Sequence, residues 1–407
     1  MKLFKQTLLL LFLLHILSSQ SLPAQNTLTG IVLSEKDHKP IEFASVYING
    51  TTKGAYTDSK GSFTISDASI PCQLVVSHLA YEVRLTSIEK IGSEKLTIYL
   101  MEKMNQLTGV SVSGTGMRKL VINEFKEGFF GNDNWAKNAL MKNDSVLYFS
   151  RRVDTIVRKA NALELMALRK KVKINEKDTL PNKSSNIVSY IKVLTAKTKS
   201  PLLIDLPLLG YSVFVDLVSF NLKSQNLWAD CDYWAYYRFI PHTAKSDIRR
   251  ARIVKNRKEA YYNSAKHFCR SLFENRLKEN GYLIAIKSEN DSVKEIQYSD
   301  INAYINIAKP NEVQITGLKN KTIIIYYFCN YVGKPTDLSR KKIDSNFKNR
   351  WEFRDFENVS NVIFKSDTCI IRSNGTIPDN NVLFSGKFAT KRGGTLLPDD
   401  YLPDNEN

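Results

Sequence analysis

Between Thr27 and Glu102 the chain is a succession of short strand-forming runs cut at intervals by turn residues, and few folds accept that pattern. Residues 28–33 form the first run, followed by a polar stretch to Lys39 and by Pro40. In the next, Phe43, Ser45, Tyr47 and Asn49 alternate with Ala44, Val46 and Ile48 until Gly50 closes it. Asp58 and Gly61 then frame a tight turn between strand formers, Tyr56 and Thr57 before it and residues 63–65 after it, which predicts a β-hairpin. Residues 74–78 and 96–100 supply two more strands. Short strands at this spacing predict an all-β sandwich.

The punctuation also carries a resemblance. Gly30-Ile31-Val32, Pro40-Ile41-x-Phe43-Ala44-x-Val46, Gly50-Thr51-x-x-Gly54, Thr57-Asp58-x-x-Gly61-x-Phe63-x-Ile65 and Val75-x-Ser77-x-x-x-Tyr81 occur in that order. Together they resemble the carboxypeptidase-regulatory-like family, which implies a transthyretin-like or Ig-like sandwich over residues 27–103. In that family the domain often precedes an outer-membrane transporter, and residues 107–114 resemble the strand that follows it there. The rest of the chain offers too few transmembrane strands for a transporter barrel. No His-Glu-x-x-His or other zinc-ligand spacing suggests a peptidase.

Ahead of the sandwich, Lys2 and Lys5 precede an apolar stretch over residues 8–17 that gives way to Ser18, Ser19, Gln20 and Ser21. The stretch is too short to span a bilayer and has the form of a secretory signal removed after Ala24. Export to the periplasm, the outer membrane or the cell surface is therefore expected, with peripheral rather than integral membrane association. Hydrophobic residues make up 43% of the 407, enough for true cores.

The formal charge of +17 is unevenly placed. Residues 28–103 hold 8 Lys/Arg against 9 Asp/Glu, whereas residues 104–407 hold 48 against 32. The basic part calls for an acidic partner. In an exported protein that means an envelope protein, an acidic glycan or a lipid headgroup rather than nucleic acid. The competing account is a solvated, Lys-rich surface. The five cysteines are too scattered for a zinc ribbon or a disulfide scaffold, so no metal or cofactor is expected.

Residues 104–142 read as a connector with helical character, anchored by Leu120, Phe125, Phe129 and Phe130, with a short helix starting at Asn132–Asn134 before Trp135. Residues 143–407 alternate strand-like runs with one helical pattern, an α+β domain. Tyr261, Ala265, Phe268, Cys269, Leu272, Phe273 and Leu277 recur at helical spacing, so one long helix is expected over 247–280, capped by Ser246 or Asp247 and closed by Gly281, with Asn256 as its weak point. Three further groups resemble secreted carboxypeptidase-regulatory-like-domain proteins of Gram-negative gut-type bacteria. They are Pro201–Ile204 with Leu209-Gly210-Tyr211; Asn256-Arg257-x-x-Ala260-Tyr261-Tyr262-x-Ser264-x-x-His267-Phe268-x-Arg270; and Leu396-Leu397-Pro398-x-x-Tyr401-x-Pro403. The resemblance implies an envelope location and no known reaction. Asn263 stands where those relatives usually carry Gly.

Three candidate sites emerge. Arg257, His267 and Arg270 fall at helical intervals and offer guanidinium forks for carboxylate or phosphate. The favoured alternative is a packed helix, with the arginines paired to sheet carboxylates and His267 at the core edge. Arg249 and Arg250 belong to a cationic helix start that opposes the helix dipole and so favours an acidic partner. Trp228 and Trp234 head an aromatic stretch reaching Phe239; exposed, it would stack on sugars, and buried, the favoured reading, it fills the sheet core. No nucleophile elbow or Cys–His signature is present. The sequence thus leads to a non-enzymatic cell-envelope binding or scaffold protein that contacts an acidic partner, with an envelope hydrolase acting on glycan or peptide as the rival.

Overall fold

The computed structural model describes residues 27–90, 92, 95–103, 115–159, 186–225, 228–287, 301–327, 358–378 and 381–405. The expected leader, residues 107–114, Cys329 and Gly109 to Ser113 lie outside them. The chain divides into two compact units, one of residues up to 49 and 53–104, the other of residues 50–52 and 105–407.

The first unit is a sandwich of two sheets. Strands β1 (Leu28–Ser34), β4 (Ser62–Ile65) and β7 (Leu96–Leu100) form one, with β1 central. Strands β2 (Ser45–Ile48), β3 (Gly54–Tyr56), β5 (Cys72–His78) and β6 (Tyr81–Ile88) form the other. In β1 alternate residues are buried, as the period of two requires. Leu28, Val32, Val46, Ile48, Phe63, Leu74, Val76 and Ile98 meet between the sheets.

The turn at Asp58–Gly61 forms where expected, but it does not make a hairpin. β3 and β4 belong to different sheets, so the turn carries the chain across the sandwich. Its sequence explains why it holds. Thr57 is buried; its Oγ1 donates to Ile41 O at 2.6 Å and accepts from Ala44 N at 2.8 Å. Asp58 Oδ1 accepts from the backbone of Lys60 and Ser62, and Gly61 sits at φ 71°, where a side chain would also press on Val32 O. β6 is not among the expected strands although Tyr81, Val83 and Leu85 alternate with Glu82, Arg84 and Thr86; Ile88, its one buried residue, falls out of that period.

The second unit has two separate cores. The first lies on a six-stranded sheet: β8 (Leu140–Met141), β9 (Leu147–Lys159), β10 (Asn186–Thr198), β11 (Leu202–Leu206), β12 (Tyr211–Gln225) and β13 (Trp228–Pro241). β12 is its spine. One edge pairs with β13 throughout, and the other pairs with β11 at its start and β10 at its end. Helix α1 (Thr115–Phe130) covers this sheet through Val121, Phe125, Phe129 and Phe130, with Phe125 and Phe220 4.6 Å apart. Burying each of these rings is worth about 2–3 kcal/mol. Leu120, expected among the anchors, is 45% exposed; Val121 takes its place, one position round the helix. The short helix α2 (Asn134–Asn138) follows, capped by Asp133.

The second core is a sandwich of β14 (Tyr282–Lys287), β17 (Thr322–Tyr327), β18 (Val359–Phe364) and β20 (Val382–Gly386) against β15 (Ile305–Lys309), β16 (Glu312–Thr316) and β19 (Thr368–Arg372), and a short helix α5 (Lys387–Thr390) follows β20. The described residues are thus β-rich with few helices. The single long helix over 247–280 is not formed. Two helices, α3 (Asp247–Tyr261) and α4 (Ala265–Phe273), replace it. The break is at Asn263, not Asn256. Asn263 has φ 55°, in the left-handed region that Gly and Asn enter most readily, so it can turn the chain between the two helices. Asn256 stays helical because its side chain points off the helix and donates to Leu208 O.

Candidate functional site

α3 and α4 carry most of the singled-out residues. α3 begins at Ser246, whose Oγ accepts from Arg249 N, and Asp247 complements the dipole in the first turn. Its second half is fixed to the six-stranded sheet. Ile253 is buried, and Arg257 Nε donates to Leu209 O at 2.7 Å while its guanidinium lies 4.1 Å over the Tyr211 ring. The helix ends under Lys391, whose Nζ donates to Glu259 O, Ala260 O and Tyr262 O. Those carbonyls favour the charged ammonium, but burial opposes it and pulls its pKa down to about 7.

α4 starts at Ser264, which caps His267 N. His267 is buried among the rings of Tyr261, Tyr262, Tyr282 and Tyr327, and its Nδ1 shares a 2.8 Å hydrogen bond with Tyr282 Oη. Burial, aided by Lys391 and Arg270, lowers its pKa to about 3, so it is neutral near pH 7. Arg270 is buried as well. Its Nε donates to Asn374 O, Nη1 to Tyr401 O and Tyr261 Oη, and Nη2 to Asp399 O. Beside it Lys266 Nζ pairs with Asp399 Oδ1 at 2.6 Å and donates to Leu397 O.

These contacts place the first candidate cluster. Arg257 and Arg270 lie on different helices and face backbone carbonyls, not the sheet carboxylates anticipated for them. His267 lies inside the core. The arginines' donors are directed at backbone carbonyls of other segments, so they tie the helices to the rest of the unit. The three motif groups in fact meet each other: Arg257 with Leu209, Gly210 and Tyr211, and Tyr261 and Arg270 with Tyr401. Lys391 was missed because nothing in Ala389-Thr390-Lys391-Arg392 distinguishes a buried lysine from a solvated one.

The aromatic stretch divides by strand parity. Tyr233, Tyr237 and Phe239 of β13 pack into the first core, and Tyr233 meets Phe129 at 4.8 Å. Trp234 and Tyr236 lie on the opposite face, half-buried and edge-on to each other. The Trp228 side chain lies outside the described residues.

The cationic helix start remains, and it stands apart. Residues 245–252 are all exposed, so the first turns of α3 project from the body on every side. They carry Lys245, Arg249, Arg250 and Arg252 against one acid, Asp247.

Among the described residues, no group of three or more His, Cys, Asp or Glu could hold a metal ion, and no helix is long and apolar enough to cross a membrane. Cys72, Cys231, Cys269 and Cys369 are free thiols. Burial pushes the Cys231 thiol up to about 12, far from a reactive thiolate.

Residues 28–112 match the CarboxypepD_reg-like domain family. The CarboxypepD_reg-like domain covers the first unit and no part of α3 or α4. No curated protein matches the chain. Among solved structures, a Bacteroides fragilis protein of unknown function, described as membrane-associated, is similar at 9% identity over 53% of this chain and 98% of its own, with a TM-score of 0.16. In the CarboxypepD_reg-like domain a cleft of about 420 Å³ lies along β6 and β7, lined by Glu35, His38, Arg84 and Tyr99 among others.

Proposed function

We propose that this is a non-enzymatic protein of the cell envelope that binds an acidic partner through the projecting start of α3, with the CarboxypepD_reg-like sandwich as a second, protein-contacting module. The observation that carries the reading is the contrast in exposure. Arg257 and Arg270 are enclosed by the fold, whereas Lys245, Arg249, Arg250 and Arg252 crowd solvent at the end of a helix whose dipole disfavours them. Positive charge held there has only Asp247 as a counterpart in the first turns, and an anionic partner supplies more. An exported location, read from the leader, puts phosphate and carboxylate groups of the envelope within reach. The test is retention on immobilised heparin, a soluble polyanion, across a salt gradient. Wild type is expected to need clearly more salt for elution than R249Q/R250Q/R252Q; identical elution would remove the α3 site.

A further inference from the structure

The projecting turns of α3 carry one feature that an acidic partner in general does not explain. Ile248 is 78% exposed, between Lys245 and Arg249, while Ile253, little more than a turn later, is 6% exposed. A soluble acidic glycan or a carboxylate-rich protein surface would engage the cations and leave Ile248 in water. Building on the acidic-partner reading, we propose that this helix end docks on a lipid bilayer bearing anionic phosphate headgroups, with Ile248 entering the boundary between headgroups and acyl chains.

The geometry suits a plane met end-on. Successive helix residues are about 100° apart, so Arg249, Arg250 and Arg252 point round the axis and not along one stripe. Helical side chains also lean toward the N-terminus, which carries these long cations past the start of the helix toward whatever faces it. A partner that grips one side of the helix would meet one or two of them, whereas a charged plane across its end meets them all. The isoleucine among them is the apolar element that an interfacial helix lowers beneath the headgroups while its cations stay with the phosphates. The second half of α3, pinned by Ile253, Asn256 and Arg257, keeps the tip rigid.

The experiment is vesicle co-sedimentation of the chain lacking residues 1–24, so that the apolar leader contributes nothing. Phosphatidylcholine vesicles with about a third phosphatidylglycerol are compared with phosphatidylcholine alone, and heparin serves as the soluble polyanion. Wild type should sediment with the anionic vesicles only. I248N should lose at least about fivefold of that binding with heparin retention unchanged, and R249Q/R250Q/R252Q should lose at least about tenfold on both probes. Heparin retention without vesicle binding would overturn the lipid inference and leave the acidic-partner reading standing. Loss of both probes in wild type would overturn both. Full vesicle binding by I248N would remove the insertion of Ile248. Circular dichroism on each variant separates these outcomes from misfolding.

Discussion

Helices α3 and α4 follow one another in the chain, both carry basic residues, and they use them in opposite ways. In α4 Arg270 is buried with three carbonyls and a tyrosine hydroxyl on its donors, and Lys266 is tied to Asp399 and Leu397. In the first turns of α3 the cations are exposed to solvent. A charge enclosed by carbonyls is a fastening, because removing it leaves several acceptors unsatisfied. A charge left in water costs the fold little to lose and is free to meet a partner. Where the basic residues sit therefore matters more than how many there are.

The largest effect is expected at Arg270. R270A should lower stability by about 3 kcal/mol or more, read as a shift in the urea midpoint, since two buried and two half-buried partners lose their donor. R270K should recover only part of it, because one ammonium cannot reproduce the fork.

Acid provides the next largest effect. The His267 pKa is about 3 in the fold against an ordinary 6.5, so between those values the unfolded chain binds the proton that the folded chain refuses. Stability then rises with pH across that window and is lost as pH falls through it, by up to several kcal/mol in all. Lys391 acts with the same sign at higher pH, between about 7 and its ordinary 10.5. Thermal melts of wild type and H267Q from pH 7 to pH 4 should show the steeper loss in wild type; parallel curves would mean His267 is not the group responsible.

A smaller effect belongs to the joint between the two helices. N263V forces a β-branched residue to φ 55° and should cost about 1–2 kcal/mol. N263G should be close to neutral, because it keeps the turn and removes a buried side-chain oxygen that has no hydrogen-bond partner among the described residues. Differential scanning calorimetry of the pair distinguishes a conformational requirement from a side-chain contact. Smallest of all, R249Q/R250Q/R252Q should leave the unfolding midpoint where it is, as expected for exposed side chains away from the cores.

Much of the sandwich was legible because its turns need particular residues: Asp58 for its side-chain acceptor, Gly61 for its positive φ, Thr57 for its buried hydroxyl. What the turn joined was not legible. A tight turn reads the same whether the strands beside it pair or part into two sheets, and only the register of β1 with β4 and β7 separates the cases. The helix break was misplaced for a related reason. The apolar stripe from Tyr261 to Leu272 continues across Asn263, so periodicity alone sees one helix, and the αL residue that divides it leaves no gap in the pattern. At the candidate site the sequence showed which residues were basic but not what faced them. Arg257 and Arg249 are alike in composition and neighbourhood, and they differ only in whether Leu209, Gly210 and Tyr211 lie within reach.

On the function proposed above, the α3 cations serve a partner and not the fold. One variant tests both halves. R249Q/R250Q/R252Q, measured side by side with wild type for its urea midpoint and for its salt of elution from heparin, should keep the first and lose much of the second. A variant that unfolds early would give these cations a role in the fold, and one that is retained as tightly as wild type would show that they do not bind the partner.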